Sequence, residues 1–185
     1  GFSTSPLSSV EILTQKDLFR QFLRDHGFKT PHFFGCNTYE EAIEKIDTLR
    51  FPVMVKPVDS SGSKGVTKIY TKDELSQAFE EAMTYSRSKR VIVEEFIVKQ
   101  GYQVSGDGFS LDGKMVFTSY GNELYDGDGL REYVALGEFW PSLFSEPMLS
   151  RVDAELQRLI SALKMKTSAY NIEVIIDIHD DVYIL

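Results

Sequence analysis

Cysteine appears once in the 185 residues, at Cys36, so the chain forms no disulfide within itself. That usage suits a reducing compartment, and a cytoplasmic location is expected. Histidine is scarce too: His26, His32 and His179 lie far apart without ligand spacing, which argues against a zinc site. Long apolar runs are missing. The longest, near Phe51–Val55 and Val174–Ile176, are too short for a transmembrane helix, so no membrane partner is expected. The opening Gly1-Phe2-Ser3-Thr4-Ser5-Pro6 has neither a basic segment nor an apolar core, so it does not read as a signal peptide. Basic charge is also in deficit, with 20 Lys and Arg against 28 Asp and Glu and a net charge of -8. A protein that coats nucleic acid needs a basic footprint, so no nucleic-acid partner is expected. A local basic pocket for one small anion remains compatible with this balance. What the chain does have is 42% hydrophobic and 26% charged residues, enough for a packed core.

The pattern along the chain is α+β. The first twelve residues are rich in Ser and Pro and read as a linker or tail. Thr14 can cap a helix toward His26, with Leu18, Phe19, Phe22 and Leu23 on one face and Gly27 to stop it. Thr38 and Glu41 form a capping box before a helix with Ala42, Ile43, Ile46 and Leu49 inward. Thr71 and Glu74 suggest a second box, before Leu75, Ala78, Phe79 and Ala82. Strands are expected at Phe51–Pro57, Val66–Tyr70 and Val91–Ile97. The first two are too close in sequence for a helical crossover, so they form an antiparallel hairpin, and the alternation of a doubly wound sheet is absent. Beyond residue 100, Asp112-Gly113 and Asp180-Asp181 mark two further hairpins. Asn122–Gly137 reads as a polar loop, and a helix is expected from Pro147 to about Met165.

Four short stretches could carry chemistry. Lys56 ends the strand Val53-Met54-Val55-Lys56-Pro57 and shares a face with Met54. A cation there needs an anion or water, and a snorkelling lysine is the commoner case. The loop Asp59-Ser60-Ser61-Gly62-Ser63-Lys64-Gly65 lets backbone N–H groups approach an anion. It lacks the Gly-Lys-Ser/Thr ending and the following helix of a P-loop, and it lies between strands, unlike the GXXG loop of a KH domain. Glu94 and Glu95 close an apolar strand, and Glu94 could accept a proton from a purine amine. Glu173 interrupts the apolar run Asn171-Ile172-Glu173-Val174-Ile175, where a buried acid wants a partner such as Mg²⁺ or a basic side chain. Asp126-Gly127-Asp128-Gly129 looks like part of a calcium loop, but the position that demands Glu is Gly137, so it reads as an ordinary loop.

Taken together and in this order, the stretches resemble the ATP-grasp superfamily, of the carboxylate–amine ligase type. The ATP-grasp domains of carbamoyl phosphate synthetase, biotin carboxylase and phosphoribosylglycinamide synthetase are similar. The resemblance runs from about Leu13 to Leu185. It implies two α+β lobes with mostly antiparallel sheets, a small lid-bearing lobe over 28–98 and a larger, incomplete one over 99–185. It implies ATP and Mg²⁺ as cofactors. Lys16 and Lys56 resemble the phosphate-contacting lysines, with Gln15 where a neighbour of Lys16 is usually acidic or an amide. Ser61, Gly62, Ser63 and Gly65 look like the phosphate lid. Glu94 resembles the acceptor of the adenine amine, and the segment Glu95, Phe96 and Ile97 would offer backbone groups to the adenine edge. Met54 and Ile175 would sandwich the ring. Gln103 falls near a ribose-contacting position that is often Glu, and Glu173 looks like the first Mg²⁺ ligand. The family continues with a second metal-binding Glu and an Asn, whereas this chain stops in the strand Tyr183-Ile184-Leu185. The expectation is therefore an excised ATP-grasp domain truncated at the C-terminus, partnered in life by the N- and C-terminal parts of the same polypeptide and inactive alone.

The activity so implied is ATP-dependent activation of a small-molecule carboxylate as an acylphosphate, then attack by an amine or similar nucleophile. Such phosphoryl transfer needs positioning and charge neutralisation more than a protein nucleophile. The alternative is a non-catalytic nucleotide-binding regulatory or scaffold module. A plain interaction domain would leave Lys56, Glu94 and Glu173 as unrelated accidents. Acceptor recognition is expected in the loop 122–137, where Arg131 could clamp a carboxylate.

Overall fold

A computed structural model describes residues 5–125 and 134–185. Its elements are α1 (Leu7–Thr14), α2 (Lys16–Asp25), β1 (Phe33–Cys36), α3 (Tyr39–Lys45), β2 (Val53–Pro57), β3 (Thr67–Ile69), α4 (Leu75–Tyr85) and β4 (Val91–Glu95). They continue as β5 (Gln103–Leu111), β6 (Lys114–Tyr125), β7 (Ala135–Phe139), α5 (Glu146–Ala162), β8 (Ser168–Ile176) and β9 (Val182–Ile184). The fold is α+β with two antiparallel sheets, ordered β1-β4-β2-β3 and β7-β6-β5-β8-β9. Two compact units contain them. The N-terminal unit comprises Ile12–Leu23 and Thr30–Ile97. The C-terminal unit comprises the residues up to Glu11, Arg24–Lys29 and Val98–Leu185. No helix among the described residues is long and apolar enough to cross a membrane.

In the N-terminal unit, strand alternation separates a core from a polar face. Val53 and Val55 of β2 and Val91 and Val93 of β4 share the core with Ala42, Ile46, Leu75, Ala78, Phe79 and Ala82. The helix period of 3.6 places the last four on one stripe of α4, as the sequence predicts. Burying each large side chain of this set stabilises the fold by about 1.5–3 kcal/mol. The intervening strand residues, Met54 and Lys56 on β2 and Ile92 and Glu94 on β4, fall on the opposite face. The hairpin of β2 and β3 forms with Val53 opposite Ile69.

The helix starts follow their local chemistry unevenly. Thr38 caps α3 by accepting the Glu41 N–H at 3.3 Å, and the Glu41 carboxylate accepts the Asn37 N–H at 2.8 Å. At the second expected box, Thr71 makes no capping bond, and a 3-10 turn over Lys72–Glu74 precedes α4. Glu74 still reaches back, to the Tyr70 N–H at 2.8 Å. The expected linker contains α1, tied down by Ser9 Oγ donating to the Leu163 carbonyl. Ser- and Pro-rich composition hid it because only Ser9 of this helix is buried. Leu18, placed on the inner face of α2 by the sequence, is instead exposed, while Phe19 and Leu23 are buried. Strand β1 was not expected. It holds only four residues, and a Gly-Cys pair carries no strand signal of its own.

In the C-terminal unit, α5 buries Val152, Leu156, Leu159 and Ile160. Val104 of β5 faces Val174 of β8 on the core side of the sheet. The Asp112-Gly113 hairpin forms, both residues having positive φ. The polar loop expected over 122–137 begins later, because Asn122–Tyr125 extends β6 and residues 135–137 belong to β7. Asn122 is fully buried: its side chain donates to the Phe139 and Pro141 carbonyls and accepts the Leu143 N–H. A buried amide satisfied three times makes a sound strand residue, which polarity alone does not reveal. The Asp126–Gly129 stretch and Arg131 lie outside the described residues.

Cys36 has no solvent exposure, and its thiol approaches the Val91 carbonyl at 3.7 Å. Burial pushes its pKa up to about 12, and the Glu41 carboxylate adds to the rise. A disulfide reagent at pH 8 should therefore label the native chain more than about 100-fold slower than the urea-unfolded chain. Equal rates in a stopped-flow thiol assay would show that the core around Cys36 is open.

Candidate functional site

The polar face of the N-terminal sheet is organised by one carboxylate. Glu94 is 3% exposed. Its Oε2 accepts from Arg20 Nε at 2.8 Å, and its Oε1 accepts from Lys56 Nζ. Strand pairing sets Glu94 opposite Met54 on β2, one position from Lys56, so the lysine reaches it without bending the chain. Arg20 comes from α2, one i,i+4 step beyond Lys16.

Lys16 opens α2. Its N–H donates to the Val58 carbonyl at 2.9 Å, and its Nζ donates to the Ser60 carbonyl. The helix start is thereby tied to the first residues of the glycine-containing turn. Burial lowers the Lys16 pKa, and the nearby Lys56 charge lowers it further, while Glu94 opposes both. Arg20 and Lys56 thus pair with one carboxylate while Lys16 stands close enough to feel both its charge and that of Lys56, with Asp59 as a weaker influence on Lys16. The local charge is positive although the chain is acidic, and a polyanion would relieve the Lys16–Lys56 repulsion.

The turn from Asp59 to Gly65 is anchored at both ends. Asp59 accepts from the Arg87 N–H at 3.1 Å and the Ser88 N–H at 2.7 Å. Burial alone would raise its pKa, but these hydrogen bonds prevail and lower it. At the other end, Gly65 has φ +67°, and a Cβ there would lie 2.8 Å from the Tyr85 ring, so glycine is required. Between the anchors Ser61 and Gly62 are exposed, and Gly62 and Ser63 also have positive φ.

At the end of β4, Glu95 is held by Arg50, whose backbone N–H donates to Oε1 at 2.9 Å and whose guanidinium meets Oε2 at 3.0 Å. The Glu95 N–H donates to His32 O at 2.9 Å and the Phe96 N–H to Pro52 O at 3.0 Å. The Ile97 N–H meets no acceptor among the described residues. Lys68, opposite Met54 on β3, sets its ammonium 3.7 Å from the centre of the Phe96 ring.

The remaining predicted residues belong to the C-terminal unit. Gln103, Glu173 and Ile175 share the sheet face away from the buried Val104 and Val174. Gln103 Nε2 donates to Glu123 Oε2 at 2.6 Å. Glu173 is exposed and pairs across the strands with Ser105. Ile175 is half-buried opposite Tyr183. Among the described residues no three acidic, histidine or cysteine side chains form a group that could hold a metal ion. Glu173 is a single hard oxygen donor. That fits Mg²⁺ only in the mode where one or two carboxylates share the ion with phosphates and water.

The structure therefore brings Lys16, Met54, Lys56 and Glu94 together in one unit and Gln103, Glu173 and Ile175 on one face of the other. Sequence reading missed Arg20 and Glu123. Arg20 was legible as the residue four after Lys16, on the same helical face. Glu123 was hidden by being read as loop.

The family model described as "D-ala D-ala ligase C-terminus" matches residues 23–121, more than half of the chain. The chain belongs to this family, and its fold is the ATP-grasp fold. Among curated proteins it is 25% identical over 177 residues to the C-terminal section of the carbamoyl phosphate synthase large chain of Aquifex aeolicus, covering 96% of this chain and 32% of that one. It is 37% identical over 101 residues to the formate-dependent phosphoribosylglycinamide formyltransferase of Prochlorococcus marinus, covering 52% of this chain and 26% of that one. The chain thus spans a third or less of the curated relatives it matches. Among solved structures, the VanG D-Ala:D-Ser ligase of Enterococcus faecalis superposes with a TM-score of 0.82 at 20% identity, over 97% of this chain and 53% of that one.

Burial by itself would raise the Glu94 pKa, but the Arg20 and Lys56 charges outweigh it and hold the carboxyl at about 2. Because the folded value lies below the unfolded one, the pair stabilises fully above the ordinary carboxylate range and is lost as pH falls toward 2. Glu94→Gln should cost about 3–5 kcal/mol at pH 7, since it leaves buried cations unpaired. The gap to the parent chain should narrow between pH 5 and 2. Urea unfolding across that range checks this, and a gap that does not change with pH would mean the ionised form contributes nothing.

Proposed function

We propose that the chain is the ATP-binding part of an ATP-dependent ligase, one that activates a carboxylate as an acylphosphate for attack by an amine or similar nucleophile. The observation that carries this reading is the pairing of Arg20 and Lys56 with one buried carboxylate, with Lys16 nearby on the Ser60 carbonyl, beside a turn whose exposed residues include Ser61 and Gly62. Lys16 and Lys56 would receive phosphate oxygens. The turn, with Ser61, Gly62, Ser63 and Gly65, would close over the phosphates with its backbone N–H groups. Glu94 supplies the countercharge that holds Lys56 in place and offsets part of the positive charge around Lys16 before the nucleotide arrives.

The adenine edge would meet the free Ile97 N–H and the backbone of Glu95 and Phe96. The Glu94 carboxylate already serves two cations, so its contact with the adenine amine would use a remaining lone pair. Met54, 6% exposed beside Glu94, offers one apolar wall for the ring, and Ile175 is proposed as the other. Gln103 is proposed at the ribose and Glu173 as the residue that would hold Mg²⁺. When bound, that ion would neutralise phosphate charge. Membership of the ligase family and the relatives named above support the reading. The small-molecule carboxylate, the amine and further parts of the same polypeptide are proposed partners.

Thermal unfolding with and without Mg-ATP tests it. At about one hundred times the dissociation constant the nucleotide should stabilise the chain by roughly 2.7 kcal/mol, a visible rise in Tm. Lys56→Ala should abolish the rise. A parent chain whose Tm ignores Mg-ATP would overturn the reading.

A further inference from the structure

Besides Glu94, the N-terminal unit buries a second acid. Asp17, the residue after Lys16 on α2, is 6% exposed. Its Oδ2 accepts from Arg90 Nε, and its Oδ1 accepts the Leu18 N–H at 3.0 Å. Arg90 stands just before β4, and its Nη1 donates to Asn37 Oδ1. Gly35 on β1 makes room for this guanidinium: a Cβ there would lie 2.6 Å from Arg90 Nη2 and 3.0 Å from Asp17 Oδ2. Gly35 does not have positive φ, so it is the space, not the backbone, that favours glycine. An ion pair packed this closely against a strand holds its geometry against small shifts.

Arg90 also reaches the phosphate-binding elements through its backbone. Its carbonyl accepts the Val58 N–H at 3.3 Å, and the Val58 carbonyl accepts the Lys16 N–H at 2.9 Å. Arg90 thus closes a ring: its side chain grips Asp17, its carbonyl grips Val58, and Val58 grips Lys16. Every member belongs to the N-terminal unit. Helix ends fray unless they are fastened. Arg20, on Glu94, fastens the second turn of α2, whereas Lys16 is the first residue of that helix. Successive helical residues point about 100° apart, so a clamp on Asp17 sets the direction in which Lys16 leaves the axis. Held in that direction, Lys16 Nζ meets the Ser60 carbonyl at the start of the glycine-containing turn.

We propose that Arg90 is a positioning residue for nucleotide binding: through Asp17 it fixes the first turn of α2 and so aims Lys16 at the phosphates. The inference rests on the nucleotide reading above and deepens it. Arg90 itself does not touch the ligand, because its guanidinium is committed to Asp17 and Asn37. A lysine aimed in advance loses less conformational freedom when the nucleotide arrives, and so contributes more to affinity.

Calorimetric titration with Mg-ATP tests this in the parent chain, Arg90→Met, Lys16→Met and the double variant. Arg90→Met should weaken binding by about fivefold or more. Lys16→Met should weaken it by about tenfold or more. In the double variant, Arg90→Met should add less than about twofold to the loss from Lys16→Met, since no lysine is left to aim. A purely structural ion pair, or the guanidinium charge acting through space, would weaken binding by the same factor in both backgrounds. That result overturns the proposal, as does an Arg90→Met variant that binds like the parent. Lys16→Met binding like the parent overturns it too, and in each of these cases the nucleotide reading stands. If Arg90→Met does not fold, as judged by circular dichroism, Gly35→Ala takes its place. The added methyl displaces the guanidinium without removing a charge, and an unchanged affinity, or an equal loss with and without Lys16, is then the overturning result. A parent chain that does not bind Mg-ATP removes the nucleotide reading and this inference with it.

Discussion

A buried carboxylate between two cations sets the polar face of the N-terminal unit. Glu94 is almost wholly removed from water and would be expensive to ionise there by itself. Arg20 and Lys56 make it affordable, and in return Glu94 fixes where both cations sit. The arrangement ties α2 to β4 and β4 to β2. It also leaves more positive than negative charge in one place, since Lys16 stands close enough to Lys56 to feel its charge. A neutral cluster would be a structural ion pair and nothing more. The surplus makes this one suited to a polyanion.

Both sheets use the same device to separate structure from chemistry. In a strand, side chains alternate between faces, so one face can be wholly apolar while the other carries charge. On β2 and β4, valines fill the core and Met54, Lys56 and Glu94 take the other side. On β5 and β8, Val104 and Val174 are buried while Gln103, Ser105 and Glu173 share the outer face. A one-residue slip in either register would bury the charges and expose the valines, so the hydrophobic pattern that folds each sheet also protects its polar face.

Much of this was legible in the residue order, for identifiable reasons. The stripe of Leu75, Ala78, Phe79 and Ala82, the hairpin of β2 and β3, and the Asp112-Gly113 turn all depend on local periodicity or turn chemistry, which neighbouring residues encode. The fold class and the family resemblance followed from the order of short motifs. What stayed hidden was whatever depends on distant partners. Helix α1 buries a single serine, β1 is four residues long, and Asn122 looks like loop until three backbone groups satisfy it. The second capping box failed at Thr71 because a 3-10 turn took the place of the first helical turn.

The sequence by itself determined the α+β class, the face on which Lys56 and Met54 lie together, and the tight turn at Asp112-Gly113. These follow from alternation, helical period and backbone sterics, which act over a few residues. Only the tertiary structure decided that Glu94 is shared by Arg20 and Lys56, 74 and 38 positions away, and that Glu123 receives both Gln103 and Tyr125 on one oxygen. A charge or a hydrogen bond has no sequence period. Its partner is set by which strands and helices pack side by side, and that is settled only when the chain is folded.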